Sequence, residues 1–187
     1  MSIVEASASA SAIAVPALMV GLATYLSFAP TMKYFAYGSN MSGPVMDLAS
    51  PAHRFLGAAR LPGYRLAFMR RSLRTGTGVA DIIPDPNATA WGALYELEPD
   101  QLALLDAKET LGAGYEHLDV ILQTEAGASH QAMAYAVITK ELVEVRPSLE
   151  YVRRLVTGAH ERSLPEDYVA SLEALVLDWE LELLTPG

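Results

Sequence analysis

The feature that most constrains this chain is a succession of short β-type runs, each closed by turn residues, with helical spacing taking over near the C-terminus. Residues 33–37, KYFAY, are aromatic-rich and stop at Gly38-Ser39-Asn40. Residues 53–61 run into Pro62-Gly63, and 64–69 follow. Residues 79–83 close at Pro84-Asp85-Pro86-Asn87, and 90–96 carry Gly92 inside the run. Residues 117–124 turn through Glu125-Ala126-Gly127 into 131–139. Aromatic and β-branched residues fit a pleated, half-buried surface, and Gly and Pro punctuate it. Residues 44–49 fit one or two helical turns. Residues 99–109 predict a helix, with Asp100 suited to its first turn and Leu102, Leu104 and Leu105 forming its stripe. From Ser148 onward Tyr151, Val152, Leu155 and Val156 recur at helical spacing. Pro165 opens a last helix through Leu175, with Leu164 and Tyr168 on its inner side. This pattern predicts an α+β domain: a curled antiparallel sheet or small β-barrel with flanking helices.

With 187 residues, the chain has room for one domain and something extra. Its net charge is -9. Binding a nucleic-acid backbone requires clustered Lys and Arg, so no nucleic-acid partner is expected. The short run Arg70, Arg71 and Arg74 is the local exception: it reads as a solvated edge or, alternatively, as a contact for an anionic ligand. There is no cysteine, which removes disulfides, thiolate metal sites and a Cys nucleophile and fits a cytoplasmic protein. His53, His117, His130 and His160 fall in no close ligand spacing, so no zinc site is expected. Trp91 and Trp179 read as core.

Residues 1–31 differ from the rest. A small-residue run, SASASA, precedes the apolar stretch AIAVPALMVGLATYLSFAP, with Glu5 the one upstream charge. The stretch approaches the ~20 residues of a spanning helix, which makes a membrane anchor one reading. A secretory signal is a second, although its charged end is acidic where a signal needs basic residues. The third, which we favour, places residues 1–31 outside the functional domain, with the domain at residues 32–187 opening on MKYFAYGSNM. A membrane partner follows only if the leader is a genuine anchor.

Two local motifs can carry chemistry. In Tyr34-Phe35-Ala36-Tyr37-Gly38-Ser39-Asn40 a strand ends in Gly-Ser-Asn. Successive backbone N–H groups there can converge on an anion or a polarised carbonyl, Gly38 allowing the positive φ such a turn can use. The competing reading is a plain turn with Ser39 or Asn40 as an N-cap. In Leu105-Asp106-Ala107-Lys108-Glu109, Glu109 ends a helix before Gly112-Ala113-Gly114. A carboxylate there faces the negative end of the helix dipole, a setting that suits a group which takes and returns a proton. The competing reading is a solvated surface Glu. Ser39 has no companion His motif and is not read as a nucleophile.

YFAYGSNM, followed by LDAKE and Tyr115, resembles the γ-glutamylcyclotransferase family within the AIG2-like superfamily. The run PSLEYVRRLVTGAHERSLPEDYVASL is similar to the same family's C-terminal helices, including the Tyr151 position, the Gly158-Ala159 pair and the Leu164-Pro165 helix start. The likeness covers residues 32 to 172. The loop between Glu109 and Tyr115 is one residue shorter than in animal members.

The resemblance implies a cyclotransferase that needs no cofactor. A γ-glutamyl amide closes on itself to 5-oxoproline and releases an amino acid or amine, with Glu109 as general acid/base. Tyr34, Phe35, Ala36, Tyr37, Gly38, Ser39, Asn40, Tyr115 and Tyr151 are the implied substrate-binding residues. Tyr135 lines the cavity or simply packs. The implied partner is a small γ-glutamyl molecule, and the family leaves a homodimer open. The alternatives are a γ-glutamylamine cyclotransferase, a non-catalytic binding module of the same fold, and a membrane-tethered envelope protein.

Overall fold

A computed structural model describes residues 30–184, with side chains described to residue 178. Residues 1–29 of the leader and the side chain of Trp179 lie outside the described residues. Five strands, β1 (Met32–Ala36), β2 (Arg54–Arg71), β3 (Gly78–Leu97), β4 (Tyr115–Thr124) and β5 (Ser129–Val137), close into a barrel in the order β1-β3-β2-β4-β5. The pairs are antiparallel except β1 with β5, which close the barrel in parallel at Tyr34 and Met133. The α+β barrel expected from the strand pattern is the fold.

Two expected turns are not reversals. β2 runs on through Pro62-Gly63, and β3 runs on through residues 84–87. Pro62 pairs with Thr89 and Tyr64 with Pro84, so the irregularities of both strands fall at one level of the sheet. Gly63 takes φ 78 there. Prolines are tolerated where the ladder is interrupted, and a bulge bends and twists the strand without ending it. The punctuation marks a bend that helps two long strands curl.

Alternation along β1 feeds two cores. Phe35 joins Ile82, Leu94 and Leu122 in a cluster drawn from strands and the residue after β1, where Ala59, Ala90, Ala132 and Ala134 leave room for the larger side chains. Tyr34 and Ala36 join a second cluster that includes the helices. Trp91 packs against that second cluster, as expected.

Four α-helices are described: α1 (Gly43–Ala49), α2 (Pro99–Glu109), α3 (Leu149–Glu161) and α4 (Glu166–Leu184). No helix among the described residues is long and apolar enough to cross a membrane. α2 matches its expected span. Proline suits its first turn, Lys108 suits its last, and Thr110 ends it in the left-handed conformation (φ 53). Its stripe divides: Leu105 is fully buried, whereas Leu104 is 51% exposed. A polar contact docks the helix, Gln101 Oε1 accepting from Ala52 N at 2.9 Å and from Ser50 Oγ at 3.3 Å. The N-cap of α3 is Ser148, whose Oγ accepts from Tyr151 N at 3.2 Å. Val152, Leu155 and Ala159 of α3 are buried.

α3 crosses the segment after β1 at Gly158. A Cβ at that position would stand 2.7 Å from Ser42 N and 2.9 Å from Met41 Cβ. Replacing a mid-helix glycine by alanine ordinarily stabilises by about 0.5–1 kcal/mol. Here overpacking outweighs that gain, so Gly158→Ala is expected to lose about 1–3 kcal/mol in urea unfolding. A more stable variant would refute the close approach.

Candidate active site

The site forms where β1 ends. Residues Ser39–Met41 make one 3-10 turn, closed by Met41 N to Gly38 O at 3.0 Å and Ser42 N to Ser39 O at 3.2 Å. The N–H groups of Gly38, Ser39 and Asn40 donate to no acceptor among the described residues. All three residues line a small cavity of about 40 Å³. Gly38 has φ -113, so the positive φ expected of it is not used. Its value here is close approach: a Cβ would lie 3.1 Å from Ala80 Cβ and 3.6 Å from the Tyr151 hydroxyl.

The last residue of α2 reaches the same cavity. Asn40 Nδ2 donates to Glu109 Oε1 at 3.0 Å and to the Tyr34 hydroxyl at 2.8 Å. Asn40 Oδ1 accepts from Lys108 Nζ at 2.7 Å, and its backbone carbonyl accepts from the Tyr95 hydroxyl at 3.2 Å. Lys108 Nζ also donates to Glu109 Oε1, at 2.6 Å. Both donors use one carboxylate oxygen, and Oε2 meets no donor among the described residues. The Glu109 side chain is 16% exposed, which places a carboxylate at the cavity with one oxygen anchored and the other open.

Tyrosines form the rest of the wall. The Tyr115 hydroxyl donates to Ala80 O at 3.1 Å, and the Tyr151 hydroxyl accepts from Ala80 N at 3.1 Å. Tyr37 donates to Tyr135 O at 2.5 Å. Tyr135 in turn donates to Asp106 Oδ1 at 2.6 Å, an atom that also lies 2.7 Å from His117 Nε2. Burial pushes the phenols of Tyr34, Tyr37, Tyr115, Tyr135 and Tyr151 above the ordinary value of 10.0, that of Tyr151 to about 12. The Glu109 carboxylate adds to the rise at Tyr34, Tyr115 and Tyr151. These groups stay neutral at physiological pH.

Of the residues singled out in the sequence, Tyr34, Tyr37, Gly38, Ser39, Asn40, Glu109, Tyr115 and Tyr151 come together around the cavity. Phe35 and Ala36 do not reach its wall: Phe35 faces the strand cluster and Ala36 packs into the other core. The loop after Glu109 delivers Tyr115 to the wall, and Tyr135 lines it too. Lys108 and Asp106 were not assigned roles from the sequence. Asp106 stands three residues before Glu109, the spacing that puts two side chains on one helix face, and that signal was present. Nothing local points Lys108 at Asn40.

Residues 89–172 match the AIG2-like family. The chain is 30% identical to the γ-glutamylcyclotransferase of Bos taurus over 147 residues, which is 76% of this chain and 77% of that protein. It is equally 30% identical over 147 residues to the Homo sapiens γ-glutamylcyclotransferase, again covering 76% and 77%. A solved γ-glutamyl cyclotransferase superposes with a TM-score of 0.73 at 29% identity, covering 78% of this chain and 88% of the other. YkqA from Bacillus subtilis shares the fold, with a TM-score of 0.67 at 22% identity over 84% of this chain and 56% of its own.

The raised phenols link stability to pH. The folded chain keeps protons that the unfolded chain loses above about pH 10. Their contribution is complete below that pH and is lost as pH rises through the native values. Phenolate absorbance should show these tyrosines un-ionised at pH 11 while the protein is folded. Denaturant midpoints should fall steadily above pH 10. A native titration that ionises all of the tyrosines at the ordinary value would contradict their burial.

Proposed function

The chain belongs to the γ-glutamylcyclotransferase family, and we propose that it cyclises a γ-glutamyl amide to 5-oxoproline, releasing an amino acid or amine, with Glu109 moving the protons. The observation that carries this reading is the placement of Glu109 at one cavity with three unpaired backbone N–H groups. A base and a set of oxyanion donors are the two things this ring closure needs.

The substrate's α-ammonium cannot attack until it loses a proton. Glu109 takes that proton, Oε1 being anchored by Asn40 and Lys108 and Oε2 open to receive it. The freed amine attacks the γ-carbonyl carbon and closes a five-membered ring. Charge develops on the carbonyl oxygen, to which the N–H groups of Gly38, Ser39 and Asn40 donate hydrogen bonds. The bond to the leaving nitrogen breaks as that nitrogen receives the proton from Glu109. The ring nitrogen then gives its surplus proton to the restored carboxylate, and from there it passes to the released amine. Holding the chain folded supplies orientation. Tyr34, Tyr37, Tyr115 and Tyr151 bind the glutamyl part as neutral, fixed hydroxyls.

The functional domain is taken as residues 32–187, acting in the cytoplasm, with residues 1–31 outside it. Support comes from β1, which opens at Met32. Mass spectrometry of the mature N-terminus tests that assignment.

Glu109→Gln keeps the shape and removes the proton carrier. Wild-type protein is expected to release 5-oxoproline from members of a panel of γ-glutamyl amino acids, γ-glutamylamines and glutathione. The variant should lose about 10²–10⁴-fold in kcat while still binding 5-oxoproline in calorimetry. A variant with near-full activity would remove Glu109 from the proton path. A folded wild type silent on the whole panel would remove the cyclotransferase reading.

A further inference from the structure

A second concavity opens directly from the first. An outer groove of about 380 Å³ shares Ser39, Glu109, Tyr115 and Tyr151 with the inner cavity. Glu109 borders both spaces, so a substrate whose glutamyl part sits in the inner cavity places the group beyond the scissile bond in the outer groove. Arg70 and Arg74 line that groove and do not line the inner cavity.

These two arginines differ from their neighbours. Arg54, Arg65, Arg71 and Arg154 each pair with a carboxylate. Arg70 and Arg74 make no ion pair among the described residues, in a chain whose net charge is -9. The guanidinium of Arg70 is also held in place. It stands over the Tyr115 ring, 5.2 Å from the centroid, and a Cβ at Gly114 would lie 2.5 Å from its Nη1. Gly114 thus makes room for a half-buried, pre-ordered cation beside the site. A planar guanidinium with unused donors matches a carboxylate.

We propose that Arg70 and Arg74 are specificity-determining residues of this chain: together they form an anion subsite that contacts a carboxylate on the leaving amine and lowers KM for substrates that carry one. This rests on the cyclotransferase reading. Arg70 supplies the fixed contact, and Arg74, exposed on the loop after β2, supplies field and a second donor.

The test uses two substrates that differ by one carboxylate, γ-glutamylalanine and γ-glutamylethylamide, with kcat/KM followed by 5-oxoproline release. Wild type should prefer the alanine conjugate by roughly tenfold or more, the worth of one charge-assisted contact. Arg70→Gln should cut that ratio by about tenfold through KM, and Arg74→Gln by a smaller factor. Arg70→Lys should restore part of the ratio. Added salt should erode the wild-type preference and leave the double variant's ratio flat. Arg74 is exposed, so Arg74→Gln keeps the test valid if changes at Arg70 disturb folding. Equal use of both substrates by wild type, or a ratio unmoved in both Gln variants, overturns the subsite while the cyclotransferase reading stands. Release of 5-oxoproline from neither substrate overturns the reading and the subsite with it.

Discussion

The hydrogen bond from Asn40 to Glu109, 3.0 Å long, joins the turn after β1 to the end of α2 across 69 residues of chain. The rest of the site depends on it. Asn40 is only 5% exposed, and a buried carboxamide is costly unless its donors and acceptor are met. Its partners are Tyr34, Glu109 and Lys108, while its backbone carbonyl takes the Tyr95 hydroxyl. One side chain therefore fixes the turn that presents the N–H groups, the carboxylate opposite them and the ammonium that balances its charge. In such a network each bond polarises the next, and the whole holds one geometry.

The barrel supplies the frame for that contact. The strand cluster and the helix-containing cluster meet where β1 gives way to the Gly-Ser-Asn turn. Tyr34 belongs to one cluster, Tyr37 to the other, and Tyr151 packs against both. The cavity thus sits at a seam between the two clusters, where the backbone has left the strand ladder and opens a single 3-10 turn whose first N–H groups have no carbonyl to pair with. α3 presses on this turn at Gly158. Packing density there is what keeps three N–H groups aimed without being consumed by secondary structure.

Charge is distributed unevenly around the seam. The chain as a whole is acidic, yet the groove beside Glu109 carries Arg70, Arg74 and Lys108. Lys108 belongs to the Asn40 network, whereas Arg70 stacks over the Tyr115 ring and Arg74 is exposed. The inner cavity sets neutral phenols around the single carboxylate of Glu109, whereas the outer groove bears net positive charge.

Local chemistry made much of this legible from the sequence alone. The proline and Asp100 that open α2 and the glycines after it bracket a helix ending at Glu109, and that helix forms as read. Ser148 and the spacing from Tyr151 to Val156 likewise mark α3. The resemblance carried by YFAYGSNM and LDAKE pointed to the family. Partner strands decided the rest. Pro62-Gly63 reads as a turn, but whether the chain reverses depends on Thr89 and Pro84 opposite it. Alternation says that Tyr34 and Phe35 face different ways, not which way the cavity lies. The meeting of Asn40 with Lys108, and of Arg70 with Tyr115, joins positions far apart in the chain or set by strand register. Helix boundaries come from interactions a few residues apart, which a sequence displays, whereas a site closed by long-range contacts exists only once the barrel has brought its strands together.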